Sequence, residues 1–212
     1  MIDLNNSKFY QIFEKYLEGY HNLFPNIPLQ DNHLESIIEK SFIETEEIQN
    51  VDHTPLSHSI GYDLSIKQNN INSKISIKSG KYNSKNHTLI FSSYRTTSYK
   101  TINEKIDFIN KNHFDYQINF CKKDIWDKTK EYKFLVFSKE QFKINNLEFK
   151  EDESGWLTEN EYIKINIRKS MSDQVWYTVN LNKTKPLFLK SFNTPQYNLE
   201  WLSKPLDKFF NL

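Results

Sequence analysis

Two runs of alternating apolar and polar residues, IGYDLSIK (60–67) and KISIKSG (74–80), flank the Asn-rich segment QNNINS and constrain this chain more than any other feature. Alternation with period two is the signature of a half-buried strand, and Asn is at home in tight turns. Together they predict a β-hairpin, and a lone hairpin is at best marginally stable in water, so the chain must build a larger sheet around it. Asp63 opens the first strand and Lys78 ends the second. The turn therefore brings a carboxylate and an ammonium to the same end of the pair.

The flanking segments extend the pattern. HLESIIEKSFIETEEIQ (33–49) sets Leu34, Ile37, Ile38 and Phe42 at helical spacing, with Asn32 as a cap. HTLIFSSY (87–94) reads as a third strand. TINEKIDFINKN (101–112) returns to helical period through Ile102, Ile106 and Ile109, and Thr101 with Glu104 forms the capping-box pair. FDYQINF (114–120) is a fourth strand. The order across residues 33–120 is αβββαβ. Beyond it, YKFLVF (132–137), EYIKINI (161–167) and VWYTVNL (175–181) predict strands, FKEDESGW (149–156) a loop, and residues from 197 a terminal helix. The expected fold class is α/β, one domain over 1–212, with a mixed central sheet and a β-rich extension over 130–212; 212 residues suit a single core.

Composition bounds the chemistry. Hydrophobic residues at 37% and aromatics at 15% supply a core, while a mean hydropathy of −0.73 gives a strongly polar surface. The opening thirty residues carry charges every few positions, so neither a signal peptide nor a membrane span is expected, and the chain is read as cytoplasmic. Cys121 is the single cysteine, which excludes an internal disulfide and a thiolate metal cluster, and it is expected in a buried strand. The six histidines form no HExxH pair, and no P-loop or dinucleotide glycine motif is present. Net charge is +1, yet residues 1–50 hold 3 basic and 9 acidic side chains, whereas residues 51–100 hold 7 basic and 2 acidic. The basic block contains the hairpin and suits a polyanionic partner.

Hydrolysing a phosphodiester requires a divalent metal, an activated water and a positive group beside the phosphoryl oxygens. Asp63 offers the hard oxygen that Mg²⁺ prefers, Lys78 the positive charge, and Gly80 is expected to release the chain from the sheet and allow close backbone approach. With the αβββαβ order, Asp63 and the run Ser76 to Lys78 resemble the PD-(D/E)xK nuclease superfamily, in particular the type II restriction endonucleases. Tyr62 stands where that motif has Pro, and Ser76 where it usually has an acid. In the superfamily a Glu from the preceding helix often joins the site; Glu35 occupies that place here, with Glu39 one turn on as the other candidate. A rival run, Glu131 to Lys133, matches the letters, but Asp127 lies too near it and no hairpin precedes it.

The resemblance implies a Mg²⁺-dependent endonuclease that cuts double-stranded DNA at a short palindrome as a homodimer and leaves 5′-phosphate ends, with a cognate DNA methyltransferase as functional partner. Asp63 and Glu35 would hold metal, Lys78 would handle water and charge, and Ser76 would assist. SSYRTTSYK (92–100) offers Tyr94, Arg95, Thr96, Thr97 and Lys100 for phosphate and base-edge contacts, and IRKSMSDQ (167–174) adds Arg168 and Lys169. Two further readings stand beside this one: a repair or junction-resolving nuclease of the same fold, and a non-catalytic DNA-binding protein in which Ser76 records lost activity.

Overall fold

The computed structural model describes residues 7–24, 27, 29, 31–45, 48–53, 61–111, 113–123, 130–143 and 147–194; the helix expected from 197 lies outside them. The helices are α1 (Ser7–Leu23), α2 (Asp31–Ile43) and α3 (Ile102–Asn110). The strands are β1 (Ile48–His53), β2 (Leu64–Gln68), β3 (Ile71–Asn83), β4 (Thr88–Arg95), β5 (Tyr116–Lys123), β6 (Lys130–Ser138), β7 (Lys150–Asp152), β8 (Gly155–Glu159), β9 (Ile163–Arg168), β10 (Gln174–Asn180) and β11 (Phe188–Thr194). They form a mixed sheet in the order β11-β6-β5-β3-β4-β10-β9-β8-β7, with β2 and then β1 added beside the first half of β3. β3 and β5 run parallel, linked through α3, and the other described pairs are antiparallel.

Local chemistry accounts for these elements. Asn69 and Asn70 adopt φ of 51° and 61°, the left-handed pair that a two-residue hairpin turn requires, and close β2 onto β3. At α3 the Thr101 hydroxyl accepts from the Glu104 N–H, and the Glu104 carboxylate accepts from the Thr101 N–H. Each face of the sheet buries its own core. Ile75, Ile77, Ile118 and Phe120 meet α1 and α2 on one face, whereas Tyr82, Leu89, Cys121, Val175 and Tyr177 pack with Ile109 and Phe114 on the other.

Several expectations need correction. The helix expected over 33–49 stops at Ile43, and the chain re-enters the sheet as β1, so an extra strand stands between α2 and β2. FKEDESGW is a hairpin, β7 to β8, whose turn is held by the Asp152 carboxylate accepting from the Ser154 and Gly155 N–H groups. At Gly155, φ is +147° and an added Cβ would lie 1.9 Å from the Ile167 carbonyl oxygen, so only glycine fits. Gly80 does not release the chain, because β3 continues to Asn83; a Cβ there would meet Cys121 Sγ and the Ile90 carbonyl, both at 2.9 Å, so glycine permits close approach between neighbouring strands. Cys121 is buried in β5, and no helix among the described residues is long and apolar enough to cross a membrane.

Candidate active site

The long strand β3 changes partners along one edge. Residues 71–75 pair with β2 and residues 81–83 with β4, while β5 follows the opposite edge from Ile75 to Tyr82. Ser76 to Gly80 therefore have no strand neighbour on the first edge, and β4 diverges from them while staying paired with β10 as far as Arg95. Asp63 enters this fork. Its N–H donates to the Ile75 carbonyl at 2.8 Å, one step before β2 begins. Just upstream, Gly61 has φ +91° and an added Cβ would sit 2.6 Å from His113 Cβ, so the approach to Asp63 demands glycine.

Asp63 Oδ2 gathers three donors: the Ile77 N–H, the Ser76 hydroxyl at 3.3 Å and the Lys78 ammonium at 3.1 Å. No described residue hydrogen-bonds to Oδ1. The two charged side chains are 23% and 25% exposed, so the pair lies open to solvent at the mouth of the fork. The structure thus brings Asp63, Ser76 and Lys78 together as their order in sequence predicts.

The walls of the fork hold Tyr94, expected as a DNA contact, and two amides that the sequence did not single out. Ser93 and Tyr94 both stand opposite Val175 in a β-bulge between the pairs Ser92–Trp176 and Arg95–Gln174. The bulge turns Tyr94 toward the α3 face, where its ring meets Phe108 edge-on at 5.3 Å. Burial, reinforced by the nearby Asp63 charge, raises the Tyr94 pKa and keeps its hydroxyl protonated. On β5, Gln117 is the register partner of Ser76 and Asn119 that of Lys78, both almost wholly buried, and Gln117 Nε2 donates to Asn119 Oδ1 at 2.8 Å. Tyr94 Oη, Asn119 Nδ2 and His113 Nε2 are buried without a hydrogen-bond partner among the described residues. The signal for Gln117 and Asn119 was present in YQINF, because a strand buried on both faces has no ordinary use for two amides.

The remaining candidates fall elsewhere. Glu35 and Glu39 are half-buried on α2, which packs on the Ile75 and Ile77 face, opposite Ser76 and Lys78. Among the described residues no group of three or more His, Cys, Asp or Glu is placed to hold a metal. Glu131 and Lys133 form a local ion pair at 2.8 Å on β6, with Lys133 also donating to Ser191 Oγ at 2.6 Å, two strands away from β3.

The two loop segments lie side by side. Thr96 is buried, and its hydroxyl donates to the Asp173 carbonyl; the Thr97 hydroxyl donates to the Ser172 carbonyl. Both hydroxyls therefore hold the loop, leaving Arg95 and Lys100 as its exposed basic residues. Gln174 is the cross-strand partner of both Arg95 and Arg168, so the chain's two arginines flank one glutamine on a single row of β4, β10 and β9. The Arg168 guanidinium stacks over Trp176 at 5.1 Å, whereas Lys169 is paired with Glu151 at 2.7 Å. In comparison with known proteins, the chain matches no family model, no curated protein and no solved structure.

Proposed function

We propose that this chain is a Mg²⁺-dependent endodeoxyribonuclease of the restriction type, built on an αβββαβ core of the PD-(D/E)xK kind. The observation that carries the reading is the fork in β3, where Asp63 keeps Oδ1 without a partner beside the Lys78 ammonium. A hard carboxylate oxygen, partly exposed and flanked by a single cation, fits a metal that keeps several waters and takes only one or two protein carboxylates plus substrate phosphate. Asp63 Oδ1 would hold the ion. Bound Mg²⁺ supplies Lewis acidity and a water of lowered pKa. Lys78 balances charge that develops on the phosphoryl oxygens, and Ser76 together with the Ile77 N–H fixes the orientation of the Asp63 carboxylate.

Arg95 and Arg168, aligned through Gln174, form a cationic row on the open face of β4, β10 and β9 and suit phosphate or guanine-edge contacts. A homodimer acting on a palindrome, 5′-phosphate ends and a partner methyltransferase belong to the same proposal. Glu35, which the resemblance puts beside the ion, sits on α2 against the other face of the sheet, so the proposed shell rests on Asp63 with water and phosphate oxygens. The alternative of a non-catalytic DNA-binding protein draws support from the absence of a third carboxylate or imidazole group beside Asp63 among the described residues.

Incubation with phage DNA separates the two. Discrete fragments are expected with Mg²⁺ or Mn²⁺, and binding without efficient cutting is expected with Ca²⁺. Full cleavage in excess chelator would exclude the metal-dependent site, and DNA binding that never leads to cutting would favour the binder.

A further inference from the structure

We propose that Tyr94 and Asn119 are substrate-contacting residues of the Asp63 site, two neutral donors that join the Lys78 ammonium in binding the non-bridging oxygens of a phosphodiester. This inference rests on the nuclease reading and adds to it the groups that grip the reacting phosphate.

An unpaired polar group in a protein interior is costly, and native folds rarely leave one unmade. Two here stand on the strands that flank the ion pair. Asn119 is fully buried and stands beside Lys78 on the neighbouring strand, about 4.8 Å away along the ladder, with both side chains on the α3 face. Gln117 holds the Asn119 carbonyl oxygen, which leaves the amide N–H₂ as the free end of the side chain. Tyr94 reaches the same face from the opposite side of the fork, delivered by the bulge in β4, and its hydroxyl likewise lacks a partner.

The unmade bonds also share a chemistry. Asn119 offers an N–H, Tyr94 an O–H that burial and the Asp63 charge keep protonated, and Lys78 has Asp63 as its one hydrogen-bonding partner among the described residues. Donors outnumber acceptors, and Asp63 offsets the one positive charge. Such a set of donors is matched by an oxygen-rich anion with several acceptors, and donors fixed by the fold need no reorganisation when charge builds up during hydrolysis.

Tyr94→Phe removes one oxygen without changing shape, and Asn119→Asp keeps the oxygen that Gln117 uses while replacing the donor by an acceptor. Each is compared with the parent and with Asp63→Ala in single-turnover cleavage of one oligonucleotide duplex in Mg²⁺, in duplex affinity in Ca²⁺ and in thermal melting. Tyr94→Phe is expected to cut about 10²-fold more slowly, with a melting temperature equal to or above that of the parent and affinity within about 3-fold. Asn119→Asp is expected to lose at least as much rate. Should Asn119→Asp fail to fold, Tyr94→Phe decides alone. Parental rates in both variants, with Asp63→Ala inactive, overturn this inference and leave the nuclease reading standing. An inactive parent, or an active Asp63→Ala, overturns both.

Discussion

Two lysine–aspartate pairs in this molecule have similar lengths and opposite surroundings. Lys105 is fully buried on α3, and its ammonium uses all three N–H groups, donating to the Thr96 carbonyl at 2.8 Å, the Tyr99 carbonyl at 2.6 Å and Asp173 Oδ2 at 2.8 Å. Lys78 pairs with Asp63 at 3.1 Å in a half-open fork whose other polar groups, Tyr94 Oη and Asn119 Nδ2 among them, stay unmade. The first pair is a finished structural joint that clamps the loop after β4 to the turn before β10. The second is chemically incomplete. A lysine beside an aspartate says little by itself; what separates a fastener from a site is whether the neighbouring donors and acceptors have been used.

The widest separation between the two pairs is expected from Asp63→Ala. Loss of the metal-holding carboxylate should slow single-turnover cleavage by about 10³-fold or more, some 4 kcal/mol in barrier. Its melting temperature should fall only slightly, by about 2–4 °C, because the fork is open to water although the Ile77 N–H and Ser76 hydroxyl lose their acceptor, a loss of about 1 kcal/mol. Cleavage by Asp63→Ala near the parental rate would make Asp63–Lys78 another fastener. Lys105→Met should show the reverse profile. It strands the Asp173 carboxylate and takes one donor from the Thr96 and Tyr99 carbonyls, at about 3 kcal/mol of stability, which corresponds to a fall of about 6–12 °C in melting temperature. A Lys105→Met protein that melts with the parent would remove the contrast from the other end. Ser76→Ala should have the smallest effect, on the order of 10-fold in rate, since its hydroxyl makes one long bond to a carboxylate that the Ile77 N–H and Lys78 also hold. A loss as deep as that of Asp63→Ala would promote Ser76 from orienting the carboxylate to holding the ion.

Legibility in the sequence follows the range of the forces involved. The β2–β3 hairpin and the start of α3 were readable because their determinants are local: two asparagines in a turn, and a threonine three residues before a glutamate. The meeting of Asp63 with Ser76 and Lys78 was readable because one short turn sets that register. α1 has its apolar residues at helical spacing, Phe9, Tyr10, Phe13, Leu17 and Tyr20, but charges between them hide the stripe from any reading that looks only for long apolar runs. The strands of the β7–β8 hairpin are short and β7 is wholly exposed, so neither period nor hydrophobicity marks them. Gln117 and Asn119 showed in YQINF only as two amides; their place beside Ser76 and Lys78, like the use of Thr96, depends on a strand or turn distant along the chain.

The bulge at Ser93 and Tyr94 makes the length of β4 act like a reading frame. Upstream of it, Ile90 and Ser92 share the face that carries Trp176 and Thr178; downstream, Arg95 returns to that face beside Gln174 while Tyr94 points the other way. One extra residue thus lets a single strand serve two faces, sending a tyrosine to the fork and an arginine to the open sheet. Removing Ser93 would close the bulge with Tyr94 still opposite Val175 and Arg95 still beside Gln174, whereas drawing Ser93 into the regular ladder would put Tyr94 on the open face and leave Arg95 to be buried. Substitutions along β4 can be absorbed one side chain at a time, but a slip of one in its register alters both faces together.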